Sequence, residues 1–131
     1  MKNLAIRLEN KLGALAKMGK ILGNEGVSLE GGGVFVYHNI GVANFLVKDA
    51  EKGKKALESH GIEVFEINDV LIQKLDQETP GQLGKICDLM EKNRVNIITQ
   101  YSDHENQLIL VVDDYEKGKV ISENWSKGIY K

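Results

Sequence analysis

The chain has 131 residues, with 17 lysines and arginines against 19 aspartates and glutamates, which gives a formal net charge of −2. The two signs are interspersed, so the chain lacks the basic face that nucleic-acid binding requires, and we expect no nucleic-acid partner. No apolar run reaches the roughly 20 residues that cross a bilayer, and the charges at Lys2 and Arg7 interrupt the start too early for a signal peptide. We therefore expect a cytoplasmic protein without a membrane contact.

The residues of the first half predict a strand, a tight turn and a helix, followed by two strands, a second helix and a last strand. Residues 4–8 alternate in polarity as a half-buried strand does. Gly13 permits a close turn into the helix. Gly31, Gly32 and Gly33 lie within the second strand, where they indicate a bulge or a close approach of two strands. In chain order the predicted elements are strand 4–8, helix 13–24, strand 27–37, strand 42–47, a helix capped by Asp49 that ends near residue 60, and strand 62–67.

The second half repeats the first. Four apolar residues of the first helix recur 68 positions later with the same spacing, which places each set as a stripe along one helix face that we expect to be buried. The sequence 51–54 recurs at 116–119, 65 positions later, so the second copy is three residues shorter in between. The matched helix residues are Leu15, Met18, Ile21 and Leu22 with Leu83, Ile86, Leu89 and Met90.

The elements of the second copy follow from this repeat. We expect a strand at 70–72, a helix beginning at Pro80, strands at 95–101 and 107–112, and a helix at 115–125 that Asp113 and Asp114 cap. Only residues 127–131 remain for a last strand, which is therefore short or absent and leaves a sheet edge to be covered. The predicted domains are 1–68 and 69–131.

The predicted fold class is α+β, with two ferredoxin-like βαββαβ units in tandem, each an antiparallel sheet with helices on one face. Units this small bury little surface alone. We expect them to pack on each other and on a second chain, as a homodimer.

The two turns resemble the ACT domain family. Residues 9–15, followed by an apolar helix and a glycine-valine strand start, resemble the beginning of such a domain. Residues 79–83 fit the family's proline-glycine-x-leucine pattern more closely, as do Asn96 and Ile97 on the next strand. The first copy departs from the pattern at Leu12, where proline is usual, and at Ser28, where asparagine is common.

The resemblance implies a stand-alone regulatory protein of amino-acid metabolism that senses an amino acid and acts allosterically on a metabolic enzyme or transcription regulator. In this family the ligand lies between paired domains, against the first turn of one and the second strand of its neighbour. The ligand-binding residues that the resemblance implies are Asn10, Lys11, Leu12, Gly13, Ala14, Leu15, Ser28, Leu29, Thr79, Pro80, Gly81, Gln82, Leu83, Asn96 and Ile97.

The chemistry of these turns suits an amino acid. Backbone N–H groups at a helix start carry partial positive charge and fit a carboxylate, and Gly13 and Gly81 present no side chain that would block them. Asn10 or Asn96 supplies oxygens for an ammonium group, and Leu12, Leu15 or Ile97 supplies an apolar wall. Alternatively, the glycines serve only the turns, and Asn96 satisfies only backbone groups.

The remaining reactive residues predict neither catalysis nor a cofactor. Cys87 is the only cysteine; it excludes an internal disulfide and is expected to be a small core residue. His38, His60 and His104 have no metal-ligand spacing and are expected at the surface, so we expect no metal site. Trp125 and Tyr130 are expected to close a core or an interface.

Enzyme motifs are also missing. The four Gly-Lys pairs lack a following serine or threonine, which excludes a P-loop, and neither a dinucleotide turn nor a nucleophile elbow is present. An acylphosphatase-like enzyme would need an arginine in the first turn, where this chain has Lys11. The remaining alternative is a regulatory subunit that acts mainly by protein contact on a biosynthetic enzyme or transcription regulator.

Overall fold

The computed structural model describes residues 1–128. Its contacts divide the chain into two compact units, unit 1 (Met1–Asp69) and unit 2 (Val70–Lys131). Each unit consists of one antiparallel sheet with two helices packed on one face, so the predicted α+β class is confirmed.

Unit 1 is a four-stranded sheet in the order β2-β3-β1-β4, in which every neighbouring pair is antiparallel. Both helices cross between strands that are not neighbours in the sheet, as in a ferredoxin-like fold. The elements are β1 (Lys2–Glu9), α1 (Ala14–Asn24), β2 (Gly31–Tyr37), β3 (Ile40–Val47), α2 (Ala50–Ser59) and β4 (Val64–Asn68).

Unit 2 has a three-stranded sheet in the order β5-β7-β6 within the described residues. After its second helix, Lys127 and Gly128 form a turn. The rest of the predicted last strand, residues 129–131 with Tyr130, lies outside the described residues. The elements are β5 (Leu71–Gln73), α3 (Gln82–Lys92), β6 (Ile97–Ser102), β7 (Leu108–Val112) and α4 (Tyr115–Ser126).

The apolar stripes of α1 and α3 contribute to the cores of the two units, except for the first residue of each stripe. Met18, Ile21 and Leu22 are buried on α1, as Ile86 and Met90 are on α3, where Leu89 is partly buried. Each such side chain contributes about 1.5–3 kcal/mol relative to exposure. The expectation that Leu15 and Leu83 belong to these stripes is wrong, because they are 52% and 42% exposed. Helix side chains lean toward the N-terminus, so residues of the first turn project past the sheet.

Most element starts differ from the sequence expectation, and three of the differences have a clear cause. Strand β2 begins at Gly31 rather than residue 27, because the Val27 N–H donates back to the Leu22 carbonyl and closes α1. Strand β6 begins at Ile97 instead of 95 for the same reason at the end of α3. Helix α3 begins at Gln82 rather than Pro80, because Gly81 has a left-handed φ of 90°.

The glycine run in β2 produces the close approach of two strands that the sequence allowed. Gly32 has a φ of +134°, and a Cβ atom there would lie 2.0 Å from the Asn44 carbonyl oxygen on β3. The pairing of β2 with β3 runs without a register shift, so the run does not form a bulge. Only glycine fits at this position.

Candidate functional site

The two predicted turns have the same backbone conformation. Gly13 and Gly81 precede α1 and α3 with left-handed φ values of 85° and 90°, and neither helix start has a side-chain cap. A Cβ atom at either glycine would meet open space. The backbone angle therefore requires glycine at both positions. The Ala14 N–H at the start of α1 donates to the Lys11 carbonyl at 3.3 Å, whereas no side chain caps either helix start.

The loop before α3 is braced by one carboxylate. Asp76 accepts hydrogen bonds from the Glu78 N–H at 2.9 Å and from the Thr79 hydroxyl. The Thr79 N–H donates to the Asp76 carbonyl at 3.4 Å. These bonds fix the loop that leads into Pro80 and Gly81, and they engage the Thr79 hydroxyl.

A cavity of about 280 Å³ lies at this second turn. Of the predicted residues it includes Thr79, Gly81, Gln82 and Leu83, while Pro80 is exposed beside it. The other lining residues were missed by sequence reasoning: they are Leu75, Asp76, Gln77, Gln100, Ser102, Asn106 and Leu108.

The register of β6 explains why two of these residues reach the cavity. Gln100 pairs with Leu110 and Ser102 pairs with Leu108, and both leucines belong to the core under the helices. Gln100 and Ser102 therefore lie on the helix-covered face, at the edge strand. Their spacing of two in a strand was the available signal.

The first turn is different. The Asn10 side-chain amide donates to the His38 carbonyl at 2.9 Å, and Lys11 forms an exposed ion pair with Glu9 at 2.8 Å. The hydrogen bond from Lys11 holds the pKa of the Glu9 carboxyl below its usual value. Leu12 is fully exposed, at 102%. These polar groups thus bind the protein itself, and the leucine contacts solvent.

The cavity next to the first turn lies along α1 instead. It measures about 360 Å³ and includes only Gly13 of the predicted turn residues. Ala14, the first residue of α1, is half-buried, and Leu15 is exposed. The other lining residues are Ala16, Lys17, Lys20, Ile21, Asn24 and His60.

The second-strand residues lie away from the turns within each unit. Gln73 and Ser102 both pair with Leu108, whereas Ile97 pairs with Val112 at the other end of β7. The start of β6 is thus at the end of the sheet opposite the turn. The same holds in unit 1, where Ser28 is exposed and Leu29 packs partly on the core ahead of β2.

The backbone of Asn96 is held by the aspartate that follows β7. The Asn96 N–H donates to the Asp113 carboxylate at 2.9 Å, and the Asp113 N–H donates to the Asn96 carbonyl at 3.0 Å. Asn96 and Ile97 line a separate cavity of about 420 Å³ beside Arg94. The structure therefore does not join these two residues to the turn in the same unit.

The described residues contain no cluster of three or more histidine, cysteine or acidic side chains that could hold a metal ion. Cys87 is half-buried against the core of unit 2, and burial raises the pKa of its thiol, which disfavours the reactive thiolate. Within the part of the chain that the structure describes, no helix is long and apolar enough to cross a membrane.

No protein-family model matches the sequence, and a comparison with curated proteins gives no match either. Solved structures do resemble it. A Bacteroides thetaiotaomicron protein is 26% identical, with 95% of this chain and 88% of that chain covered and a TM-score of 0.80. The ligand-free regulatory subunit of aspartate kinase from Thermus thermophilus is 18% identical, with 94% and 89% covered and a TM-score of 0.68.

A third structure has the same fold. The regulatory subunit of aspartate kinase from Thermus flavus is 17% identical, with 94% of this chain and 90% of that chain covered and a TM-score of 0.66. This chain therefore has the α+β fold found in the regulatory subunits of aspartate kinase, over nearly their whole length.

Proposed function

We propose that this chain is a regulatory protein without catalytic activity of its own, and that it binds a free amino acid at the turn of unit 2. The observation that carries the proposal is the cavity of about 280 Å³ at the uncapped start of α3. Ligand pockets usually measure about 300–1,000 Å³, so this volume suits a small ligand. The likeness in fold to aspartate kinase regulatory subunits and the resemblance to ACT domains agree with this role.

The lining offers a partner for each part of an amino acid. The N–H groups of Gln82 and Leu83 suit the α-carboxylate, because they begin a helix. Side-chain oxygens of Gln100 and Asn106 suit the ammonium group. The apolar part of the cavity suits an aliphatic side chain and consists of Leu75, Leu83 and Leu108.

Binding becomes regulation if the ligand prefers one arrangement of this chain with its partner over another. We propose a metabolic enzyme or transcription regulator as that partner, and a homodimer as the state of this chain. Light scattering in solution would measure the mass of the assembly and would contradict the homodimer by giving the mass of one chain.

The first test is thermal unfolding of the full chain with each common amino acid at millimolar concentration. A ligand at about 100 times its dissociation constant adds about 2.7 kcal/mol, which raises the midpoint by several degrees. A rise with one chemical group of amino acids supports the proposal. If no amino acid raises the midpoint, the proposal is contradicted.

The site is tested with two matched glycine variants. Gly81→Asp puts a carboxylate where the ligand carboxylate is proposed to bind, so the response to the amino acid should disappear. Gly13→Asp is the control, because it has the same left-handed φ and the same open space around its Cβ. If both variants lose the response equally, or if both keep it, the second turn is not the binding site.

An exposed apolar surface of unit 1 favours a second candidate, regulation mainly by protein contact. Phe35 and Tyr37 are 74% and 80% exposed on one face of β2, and they pair with Val42 and Ile40 on β3. Exposed apolar patches of this kind often mark protein contacts. The test compares the wild type with a variant that carries both Phe35→Ser and Tyr37→Ser, and Val120→Ser is the control. Capture of a partner from cell extract by the wild type and the control, but not by the double variant, would support this role.

A further inference from the structure

Another cavity of unit 2, about 510 Å³ in volume, lies along β5. Lys74 follows β5, Lys85 lies on α3, and Trp125 and Ser126 end α4, so three elements contribute to its lining. It shares Asp76 and Gln82 with the turn cavity, and its other lining residues are Ile72 and Gln73.

The sheet topology places this cavity at a strand that has one neighbouring strand within residues 1–128. In unit 1, the first strand β1 lies between β3 and β4, with Leu4 paired to Ile67. In unit 2, the first strand β5 pairs with β7 on one side, and within residues 1–128 it is the edge of its sheet. Within the described residues, the side of β5 that corresponds to the β4 side of β1 has no paired strand.

One wall of this cavity is held together by hydrogen bonds of Gln73. Gln73 is only 5% exposed, and its amide nitrogen donates to the carbonyl and hydroxyl oxygens of Ser122. The Ser126 hydroxyl donates to the Gln73 side-chain oxygen at 3.1 Å. These bonds tie the end of α4 to β5, so the cavity does not depend on a mobile surface side chain for this wall.

The lysines at the cavity give it a cationic character. Neither Lys74 nor Lys85 forms an ion pair within residues 1–128, and the Lys85 ammonium lies 5.9 Å from the centre of the Trp125 ring. The carboxylate of Asp76 is engaged by Glu78 and Thr79. The lining of the cavity thus includes two lysines, one engaged carboxylate and an indole ring.

We propose that this cavity binds an anionic small molecule through a carboxylate or phosphate group held by Lys74 and Lys85, with the body of the ligand against Trp125. Ammonium groups bind either anion as point charges, and the indole supplies an apolar surface. The two lysines and Trp125 do not line the turn cavity, with which this cavity shares Asp76 and Gln82, so the proposal does not require the amino-acid site.

Trp125 provides a direct measurement, because it is the only tryptophan of the chain. The full-length protein is titrated separately with succinate and with inorganic phosphate, at ionic strength held constant with sodium chloride. We expect a saturable change in tryptophan fluorescence with at least one of them, and the one that binds more tightly identifies the anion class. Isothermal titration calorimetry on the same samples detects binding that leaves the fluorescence unchanged.

Charge-removing variants test the assignment. Lys74→Gln and Lys85→Gln should each weaken binding about tenfold, since a charge-assisted hydrogen bond is lost. Both lysines are exposed, so the variants should fold, and their thermal midpoints verify this. Lys119→Gln on α4 is the control and should bind as the wild type does. The proposal is overturned if neither anion binds by either method. It is also overturned if a double variant with both Lys74→Gln and Lys85→Gln binds as tightly as the wild type.

Discussion

Gly53 on α2 and Gly118 on α4 have the same packing position in their two units. A Cβ atom on Gly53 would lie 3.0 Å from Cδ1 of Leu4, and one on Gly118 would lie 3.0 Å from Cδ1 of Leu71. Each leucine is buried on the first strand of its unit. The recurrence of Gly53 at Gly118 therefore has a structural cause: the second helix of each unit lies against its sheet without room for a methyl group.

Gly53→Ala and Gly118→Ala should each destabilise the protein. Overpacking a core costs about 1–3 kcal/mol, which exceeds the gain of up to about 1 kcal/mol from better helix propensity. The free energy of unfolding from urea denaturation measures the net loss. Gly84→Ala on α3 is the control: its Cβ meets open space, so the variant should be more stable. A similar gain at all three positions would contradict the packing argument.

Gly32→Ala should be the most damaging single change in β2. The left-handed φ and the 2.0 Å distance from the new Cβ to the Asn44 oxygen require the strands to separate, which we expect to cost about 3 kcal/mol or more. At Gly33 a Cβ would meet only the exposed Phe35 ring, at 3.3 Å. Gly33→Ala should therefore cost under about 1 kcal/mol. If Gly32→Ala and Gly33→Ala lower the stability equally in thermal or urea unfolding, the close approach of β2 and β3 does not determine the cost.

The aspartate caps of α2 and α4 should have separable effects. Asp49 and Asp114 accept hydrogen bonds from the N–H groups of Lys52 and Lys117 at 3.2 and 3.1 Å, which confirms the caps predicted at these two residues. Asp113 does not cap α4, because its carboxylate accepts from the Asn96 N–H instead. Replacing either capping aspartate with alanine should lower the free energy of unfolding by about 1 kcal/mol. Replacement with asparagine should retain most of this free energy, because asparagine caps a helix as well as aspartate does. A loss with asparagine as large as with alanine would assign the effect to charge.

Tyr101 should make the protein sensitive to alkaline pH. Its side chain is 8% exposed on β6, and burial, followed by the Asp103 carboxylate, raises its pKa well above the usual value of 10.0. The folded state therefore keeps a proton that the unfolded state releases above about pH 10, so stability falls as pH rises there. The slope should be about 1.4 kcal/mol per pH unit.

The control for this pH effect is Tyr101→Phe. The phenylalanine variant has no phenolic proton, so its stability should fall less steeply between about pH 10 and 12. Urea unfolding at a series of alkaline pH values measures both slopes. Parallel slopes for the two proteins would assign the alkaline loss to other groups.

Part of the candidate site could be predicted from the sequence. Gly13 and Gly81 were recognised as turn residues because a glycine before an apolar helical stripe is a local signal, and both have left-handed φ values. Gln100 and Ser102 were missed, because which strand lies next to a helix start depends on pairing between distant segments. The resemblance pairs the turn of one domain with the second strand of a neighbouring domain; within unit 2 itself, the turn and the start of β6 lie at opposite ends of the sheet.

The sequence by itself determined the order of the strands and helices within residues 1–128 and most of the residues that face each core, because hydrophobic periodicity and capping are local properties of the chain. The tertiary structure alone decided that Leu15 and Leu83 stay exposed and that Gly53 and Gly118 touch the sheet. It also decided that the cavity at the second turn is lined by β6. These features depend on which residues pack against each other from distant parts of the chain. A periodic pattern predicts which side of a helix or strand is apolar, but it does not say which element covers that side.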